Sequence, residues 1–554
     1  MKSPLTTNAL LSCIMLVIVT ATCALGQTNK PSPFSWKALP TAKRPVFKKD
    51  TFNITKYGAV AFSDRLNTAS IKTAIEKCHA AGGGVVLIPK GNWLTGPIIL
   101  KSNVNLHLAK GAVLQFTTDK NQYPLIAANF EGHETVRDQS PISGDDLTNV
   151  AITGQGTVEG NGDAWRPLYM SKQTSAQWQD KLKSGGVLSD DGKTWFPSQQ
   201  YKLGQEMSKN GKLEKLKTIA DFAPVKDYLR PNLLVLTRCK QVLLEGVTFQ
   251  NSPCWCLHTL MCAELTVSRV KVNNPAWAQN GDGLDIESCK NVVVEHSSFN
   301  CGDDGLCIKS GKDEQGRKRG MPTENVTIHD DTVYQAHGGF VIGSEMSGGA
   351  RNIFVYHCAF IGSDKGLRFK TARGRGGLVN NIFVKDIYMK DIVQEAIYFD
   401  MYYFTAPPKP GQAAPVFAMD ETTPRFQDFY ISDIHCESAG KALFIRGLPE
   451  MHIKNIDLQN IYLKAKTGVE IIEADDIHLK NLQVNASKNN PVVYIENSTN
   501  IDFKGLDIRE NSEVLFNVGG AKTKNISVSG LKTKEVGTQA NFIGGADKSA
   551  LRLN

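Results

Sequence analysis

The chain has few long apolar runs, and this limits how it can meet a membrane. Only the stretch Ala9–Val19 is markedly apolar, and no later segment offers about 20 uninterrupted apolar residues, the length that a transmembrane helix needs. A membrane span is therefore not expected. Lys2 precedes the apolar stretch and small residues follow it up to Gly26, the layout of a secretory signal peptide. We expect removal of residues 1–26 and a secreted or periplasmic protein, with a lipid anchor at Cys23 as the alternative.

The chain also lacks a strong charge and any zinc-binding cysteine pattern. The formal net charge is +8 over 554 residues, a mild excess that favours an anionic partner without naming it. Basic residues are scattered rather than clustered among aromatic residues, which argues against nucleic acid as that partner. The cysteine spacings match no zinc motif, and most of these side chains are expected to be buried as small apolar groups. We expect no metal and no cofactor.

What the chain contains in abundance is a repeat. An Asn or similar polar residue, then alternating apolar and polar positions, then a turn, recur at a spacing of roughly 20 to 35 residues, which is the range of solenoid proteins. The units are Thr148–Thr153, Lys240–Glu245, Lys290–Glu295, Glu324–His329, Arg351–Tyr356, Asn380–Lys385, Asp475–Lys480, Thr499–Lys504 and Lys524–Ser529.

The alternation inside each unit predicts a strand with one buried face. Turn signals for two-residue hairpins are mostly missing between units, so the strands cannot pair locally. Stacked coils solve this, because equivalent strands then pair in parallel about 4.8 Å apart and their inward side chains form one core. We predict an all-β parallel solenoid over residues 51–554 after a lead segment at 27–50. A propeller would need a longer period.

Two segments depart from the repeat. Apolar residues at helical spacing between Thr68 and Ala81 predict a helix that caps the amino-terminal end of the solenoid, as such ends require. The glycines Gly82–Gly84 that follow indicate a turn, since no helix carrying a phosphate-binding lysine comes after them. The polar stretch at about 163–225 is predicted to be a surface insertion with some helix, positioned to shape a binding cleft.

Carboxylates and glycines replace ordinary strand residues in the segments Asn280–Asp285 and Cys301–Gly311. These segments lie about one coil apart, so their aspartates should be neighbours. A histidine and then a pair of cations follow at similar steps. The predicted cluster on one outer wall consists of Asp282, Asp303, Asp304, His337, Arg368 and Lys370.

Such a cluster suits the cleavage of a glycosidic bond. One acid protonates the leaving oxygen, while a carboxylate activates water or attacks the sugar. Crowding raises the pKa of at least one carboxyl and keeps it protonated. We expect the adjacent glycines to leave room for the sugar to approach the backbone and Arg or Lys to bind a substrate carboxylate. Each of these segments alone would more often be an ordinary turn or an exposed surface. The prediction therefore rests on their occurrence together at intervals of about one coil.

At these residues the sequence resembles the polygalacturonase family of glycoside hydrolases, family 28, from about Phe52 to near the carboxyl end. The family's Asn-x-Asp, Gly-Asp-Asp, Gly-His-Gly and Arg-x-Lys units occur in order, although Ala336 stands where the first Gly of the third unit is usual. The resemblance implies a right-handed parallel β-helix and inverting hydrolysis of the α-1,4 bonds of polygalacturonate, the backbone of cell-wall pectin. By this resemblance Asp303 is the general acid, Asp282 and Asp304 activate water, and His337 supports protonation of the acid.

The resemblance also implies contacts to substrate. Arg368 and Lys370 would bind the galacturonate carboxylate, with Asn280 and Tyr398 as further candidates. The run Gly338–Gly349 is more similar to exo-acting bacterial members, so we expect attack at chain ends. The segment Pro253–His258 also resembles a family segment, with packing as its expected role.

Three other functions remain open at this stage. A hydrolase of rhamnogalacturonan or substituted galacturonan would share the fold and most of the cluster. A β-helix lyase would need calcium and a cationic base. A glycan-binding solenoid without activity, such as a tailspike-like protein, would have no reason to keep Asp282, Asp303, Asp304 and His337 together.

Overall fold

The protein is built mainly of short parallel strands that stack in three columns. The computed structural model describes residues 32–408, 412, 414–488 and 490–554. Each strand pairs in parallel with its equivalent on the coils before and after it. The predicted parallel β-helix is confirmed. The predicted signal peptide, with Cys23, lies outside the described residues, and no described helix is long and apolar enough to span a membrane.

The three columns are named sheets A, B and C in the order in which the chain crosses them within most coils. Sheet A contains Ile98–Ile99, Ile142–Asp145, Leu234–Thr237, Leu257–Leu260, Leu284–Glu287, Leu306–Lys309, Phe340–Ile342, Leu367–Lys370, Glu395–Asp400, the last parts of Arg425–Arg446 and Ile453–Ile472, Val493–Glu496, Ser512–Gly519 and Val536–Ile543.

Sheet B contains Thr51–Asn53, Gly84–Ile88, Val104–Leu108, Thr148–Gly154, Lys240–Glu245, Ala263–Ser268, Lys290–Glu295, Thr323–His329, Ala350–Ile361, Leu378–Lys390, the first parts of Arg425–Arg446 and Ile453–Ile472, Ala474–Ala486, Thr499–Ile508, Lys524–Ser529 and Leu551–Leu553. Sheet C contains Gly91–Thr95, Ala112–Phe116, Thr157–Glu159, Thr248–Gln250, Lys271–Asn273, Ser298–Asn300, Thr332–Tyr334, Lys532–Thr533 and the continuations of the longer sheet B strands.

The inward side chains of each sheet stack in register. In sheet A, the apolar residues Leu257, Leu284, Leu306, Phe340 and Leu367 are partners on successive strands, and all are fully buried. The same stacking in sheets B and C encloses one continuous core. Because side chains alternate in a strand, the residues between these positions project outward, and in sheet A they include Arg368 and Lys370.

The asparagine that recurs in the sequence repeat has a defined role at the start of each sheet B strand. Asn291, Asn325 and Asn352 on successive coils all adopt the left-handed conformation, with φ of 56°, 59° and 56°. Asparagine tolerates this region better than most residues. The side-chain amide of Asn325 donates to Asn291 Oδ1 at 3.0 Å, and that of Asn352 donates to Asn325 Oδ1 at 3.1 Å. The repeat thus encodes a ladder of amide hydrogen bonds.

The amino-terminal end is capped as predicted. The helix Thr68–Ala80 buries Ile71, Ala74 and Ile75 over the first coils. The preceding segment at 32–50 crosses the outside of several coils: Trp36 packs edge-on against Phe354 at 5.3 Å, and Thr327 donates a hydrogen bond to the Pro40 carbonyl.

The polar excursion runs from the short helix Gly162–Ala164 to the helix Ile219–Tyr228. It contains the α-helices Ser175–Lys183 and Gln199–Lys209 and a small antiparallel sheet. That sheet consists of Leu168–Tyr169, Val187–Leu188 and Thr194–Phe196. The remaining helices are Asp313–Arg319 and the short turns Ile54–Tyr57, Lys120–Gln122, Met170–Lys172, Leu213–Lys215 and Lys548–Ala550.

A β-hairpin formed by Leu125–Phe130 and His133–Asp138 was not predicted from the sequence. It pairs with no strand of the solenoid and packs against the excursion, where Val136 joins a small apolar cluster with Phe222, Val225 and Leu229. The only cue in the sequence is the two-residue link ending in Gly132, which has a φ of 75°.

One partly buried imidazole in a turn between sheets A and B contacts the corresponding turn of the next coil and makes stability depend on pH. His452 lies 2.8 Å from Glu473 and 2.9 Å from Asp475, and these carboxylates outweigh burial and raise the pKa of His452 to about 9. The charged imidazole therefore stabilises the fold fully below its unfolded pKa near 6.5, and this contribution is lost as the pH rises through 9. We expect His452→Gln to lower the free energy of unfolding by about 1–3 kcal/mol at pH 6 and by little at pH 10. Urea titration at both pH values checks this, and an equal loss at both would contradict it.

Candidate active site

Asp282 and Asp304 occupy equivalent places on neighbouring coils. Each lies two residues before a sheet A strand, and the two strands Leu284–Glu287 and Leu306–Lys309 pair in register. Together with Asp303, they bring one carboxylate oxygen each within 4.8 Å of one another. The three carboxylates that the sequence analysis selected therefore form one cluster on the outer face of sheet A.

Two cations hold the carboxylate of Asp304. Arg368 Nη1 donates to Asp304 Oδ1 at 2.8 Å, and Lys370 Nζ donates to Oδ2 at 2.7 Å. Burial opposes the charge, but Lys370 and Arg368 outweigh it and hold the pKa of Asp304 well below its usual range. Asp304 is therefore ionised, and both of its oxygens are engaged.

Asp282 is in the opposite state. Its side chain is buried, and burial together with the neighbouring Asp285 and Asp303 raises its pKa well above the usual range. The nearest cation, Lys309 Nζ, lies 3.7 Å away, and Asp282 Oδ1 has no hydrogen-bond partner among the described residues. Burial and the neighbouring carboxylates therefore favour a proton on Asp282 more strongly than on an exposed aspartate.

Asp303 is the carboxylate that faces outward. Its side chain is 23 % exposed, whereas those of Asp282 and Asp304 are 4 % exposed. His337 Nδ1 lies 3.0 Å from Asp303 Oδ1, and the His337 backbone amide donates to the Asp303 carbonyl. The hydrogen bond to Asp303 raises the pKa of His337 despite partial burial. Asp303 is thus the carboxyl group of the cluster that a ligand on the outer face can reach.

Two glycines of the cluster have a different role from the expected one. A Cβ on Gly305 would lie 2.5 Å from Val333, and one on Gly339 would lie 2.3 Å from the ring of Phe360. Both face the core rather than the groove and are needed because the coil packs tightly on its inner side. Gly338 differs, because its Cβ would lie 3.1 Å from the side chain of Arg368.

The two weaker candidates lie beside the cluster rather than in it. Asn280 Oδ1 accepts a hydrogen bond from Arg230 Nη2 at 2.8 Å. Tyr398 is the register partner of Arg368 on the next coil, and its hydroxyl donates to Asp400 at 2.6 Å. The Asn280 side-chain oxygen and the Tyr398 hydroxyl therefore already have protein partners.

Three residues near the cluster, Lys309, Asp285 and Trp255, were not selected as site residues from the sequence. Lys309 Nζ lies 3.0 Å from Asp285 Oδ1 and 3.5 Å from the centre of the Trp255 ring. Burial raises the pKa of Asp285 to about 6, with Lys309 opposing it. Asp285 and Lys309 could have been found from the sequence, because they alternate with the buried Leu284 and Ile308 and therefore project outward from the same strands.

The groove is closed on one side of the cluster. Phe130, at the tip of the unpredicted hairpin, packs on Trp255 with ring centres 4.8 Å apart, and the Arg137 guanidinium covers Phe130 at 3.5 Å. The hairpin overlies the preceding sheet A strands and leaves a cavity of about 300 Å³ between them. On the other side, sheet A continues into an open cavity of about 830 Å³ bordered by Lys441, Glu470 and Tyr494.

The carboxylates are close enough together to bind a cation. However, Arg368 and Lys370 already supply positive charge to Asp304, and Lys309 supplies it to Asp285. Cationic side chains therefore balance the negative charge of Asp304 and Asp285.

Comparison with known proteins identifies the family. The family model described as glycosyl hydrolases family 28 matches residues 221–423, which include all the clustered residues. The crystal structure of a hyperthermoactive exopolygalacturonase from Thermotoga maritima is similar over 78 % of this chain and 89 % of that chain, with 30 % identity and a TM-score of 0.61. The chain belongs to glycosyl hydrolase family 28.

Curated members of family 28 are also similar to the chain. A probable polygalacturonase of Vitis vinifera is 29 % identical over 60 % of this chain and 59 % of its own length. An exo-poly-alpha-D-galacturonosidase of Dickeya chrysanthemi is 27 % identical over 60 % of this chain and 54 % of its own length. The chain thus spans a little over half the length of these two relatives, so its own activity is treated as a proposal below.

Proposed function

We propose that the protein hydrolyses the α-1,4-galacturonosidic bonds of polygalacturonate, working from a chain end and inverting the anomeric configuration. The observation that carries the proposal is the cluster of three carboxylates on a family 28 β-helix: one is held by two cations, one has surroundings that raise its pKa, and one is open to the groove. The family members from Thermotoga maritima and Dickeya chrysanthemi are described as exo-acting on galacturonan.

The proton for the leaving oxygen comes from Asp303. The three carboxylates lie so close together that their protons belong to the cluster rather than to single groups. The proton favoured on Asp282 can therefore be supplied to Asp303, which alone of the three is substantially exposed. His337 contacts Asp303 and orients it towards the groove.

Water attacks from the side of Asp282 and Asp304. Carboxyl groups about 6.5–9.5 Å apart are usual for inversion and about 5–5.5 Å for retention, so the spacing alone would favour retention. A retaining mechanism needs a carboxylate that can bond to the sugar, but Lys370 and Arg368 hold both oxygens of the buried Asp304. Asp304 is better placed to accept a proton from water than to attack carbon. We therefore favour inversion.

The substrate is an acidic sugar polymer. Arg368 Nε is buried without a hydrogen-bond partner among the described residues, which leaves a donor for a galacturonate carboxylate. Lys365, two residues before the strand that carries Arg368 and Lys370, adds a third cation on the same coil and covers the Tyr398 ring of the next coil at 4.5 Å. The open side of the groove thus offers further positive and aromatic contacts to a polymer.

Chain-end attack follows from the closed side of the groove. The hairpin and Trp255 cover sheet A immediately before the coil that carries Asp282. Only a short part of a polymer fits between this wall and the cluster, while the rest extends along the open coils. The proposal includes export, because polygalacturonate is extracellular and the first 26 residues resemble a signal peptide.

Digestion of polygalacturonate in the presence of a chelator tests the proposal. Proton NMR during the first minutes gives the anomer released, and size separation gives the product lengths. We expect the β-anomer first and only monomer or dimer as products. Early release of the α-anomer would overturn inversion, early release of long fragments would overturn chain-end attack, and no release would favour a rhamnogalacturonan or substituted galacturonan as substrate.

A further inference from the structure

A second cluster of titratable side chains lies away from the catalytic groove, at the corner between sheets B and C. Its residues end successive sheet B strands: Glu295 and His296 on one coil, His329 and Asp330 on the next, and His357 on the third. His296, Asp330 and His357 share the left-handed conformation, with φ of 52°, 56° and 52°. The corner therefore repeats one backbone geometry and stacks these side chains.

Three imidazoles converge on one carboxylate. Nδ1 of His329 lies 2.7 Å from Asp330 Oδ2, Nδ1 of His296 lies 3.8 Å from the same oxygen, and Nδ1 of His357 lies 3.7 Å from Oδ1. His296, His329 and Asp330 each offer a ligand atom within 4.8 Å of the others. Ligands bound to one Zn²⁺ at about 2.1 Å in a tetrahedron lie about 3.4 Å apart. The three imidazole–carboxylate separations bracket that value, and His357, which is outside the mutually close group, reaches the other oxygen of the same carboxylate.

The outer nitrogens of two of these rings are already held by further carboxylates. His357 Nε2 lies 2.9 Å from Asp386, and His329 Nε2 lies 3.6 Å from Glu295. Metal-binding histidines usually carry such a partner on the ring nitrogen that does not bind the metal, because it fixes the tautomer and the orientation of the ring. This arrangement is an observation independent of the converging Nδ1 atoms, and it points to the same ligand.

We propose that this corner binds a divalent transition-metal ion through His296, His329, Asp330 and His357. Three imidazole nitrogens and one carboxylate oxygen suit Zn²⁺, Cu²⁺ or Ni²⁺ rather than Mg²⁺ or Ca²⁺, which prefer oxygen. His296 and His357 are half exposed, so an ion can enter from solvent. Arg44 pairs with the other oxygen of Glu295 and is the nearest opposing cation.

The ion would join three coils of the solenoid. Its ligands come from the strands Lys290–Glu295, Thr323–His329 and Ala350–Ile361 or from the residues directly after them. An ion that binds the folded chain more tightly than the unfolded chain stabilises the fold. The catalytic carboxylates lie on sheet A, so occupancy of this corner is separate from the proposed hydrolysis.

Titration with ZnCl₂ tests the proposal on chelator-treated protein without a polyhistidine tag. We expect calorimetry to show about one Zn²⁺ per chain, no comparable binding of Mg²⁺, and a higher unfolding temperature with Zn²⁺. His329→Gln and His357→Gln should each weaken Zn²⁺ binding at least tenfold, whereas His478→Gln, an exposed histidine on a later sheet B strand, should not.

Variants that unfold at the wild-type temperature in chelator are folded and can be compared directly. No saturable Zn²⁺ binding to the wild type would overturn the proposal. So would equal binding by the wild type and a His329→Gln/His357→Gln double variant, since the ion would then lie elsewhere. Loss of that residual binding in Asp282→Asn would assign it to the catalytic carboxylates.

Discussion

Replacing Asp303 with asparagine is expected to lower kcat on polygalacturonate by about 10³-fold or more, with little change in KM. General acid catalysis contributes about 10²–10⁴-fold, and the amide that replaces the carboxyl cannot deliver a proton to the leaving oxygen. Its shape and its contact with the Asp304 backbone amide are retained, since Asp303 Oδ1 is the acceptor there. The loss should therefore be chemical and not structural, and initial rates of reducing-end release measure it.

Asp364→Asn is the matched control for this prediction. Asp364 lies 4.0 Å from His337 Nε2 and is 40 % exposed, so it shares the groove and the imidazole but does not belong to the carboxylate cluster. We expect its kcat to fall less than tenfold. A loss in Asp364→Asn as large as in Asp303→Asn, or no loss in Asp303→Asn, would remove Asp303 from the role of acid.

The solenoid could be predicted because the residue pattern that forms each strand is local and recurs from coil to coil. Alternating residues fix the buried face of every strand, and the recurrent Asn marks the left-handed position that begins each sheet B strand. Since coils stack in register, residues one coil apart in sequence become neighbours in space. That rule places Asp282 beside Asp304 on the neighbouring coil, and applied over two coils it brings Arg368 near Asp304.

The surroundings of the cluster could not be predicted, because they depend on contacts between distant segments. The hairpin tip carrying Phe130 packs on Trp255, more than a hundred residues later, and no repeat links the two. The role of Gly305 and Gly339 was misjudged for a related reason, since spacing does not show which face of the coil a glycine occupies. The pKa shifts of Asp282 and Asp304 could not be predicted from the sequence either, because they depend on the burial of Asp282 and on the ion pairs of Asp304.

The pairing of Asp304 gives the second large prediction. Lys370→Met should lower kcat by about 10²-fold and should destabilise the fold by about 3–5 kcal/mol, because it leaves a buried carboxylate with one of its two cations. The pKa of Asp304 should rise, since Lys370 is the largest favourable influence on its charge. The acidic limb of the pH–kcat profile should therefore move to higher pH. Steady-state kinetics across pH and urea titration measure these effects.

Whether Lys370→Met changes kcat or KM distinguishes a role of Lys370 in catalysis from a role in substrate binding. If it mainly bound the substrate carboxylate, as the resemblance implies, Lys370→Met would raise KM and leave kcat and the acidic limb unchanged. The geometry favours the other outcome, because Lys370 Nζ is buried and already bonded to Asp304 at 2.7 Å. Lys441→Met is the control: this lysine pairs with Glu470 on the same sheet, away from the carboxylates, and its loss should leave kcat within about twofold. A kcat effect confined to Lys370 would show that the cation maintains the ionised base on which attack by water depends.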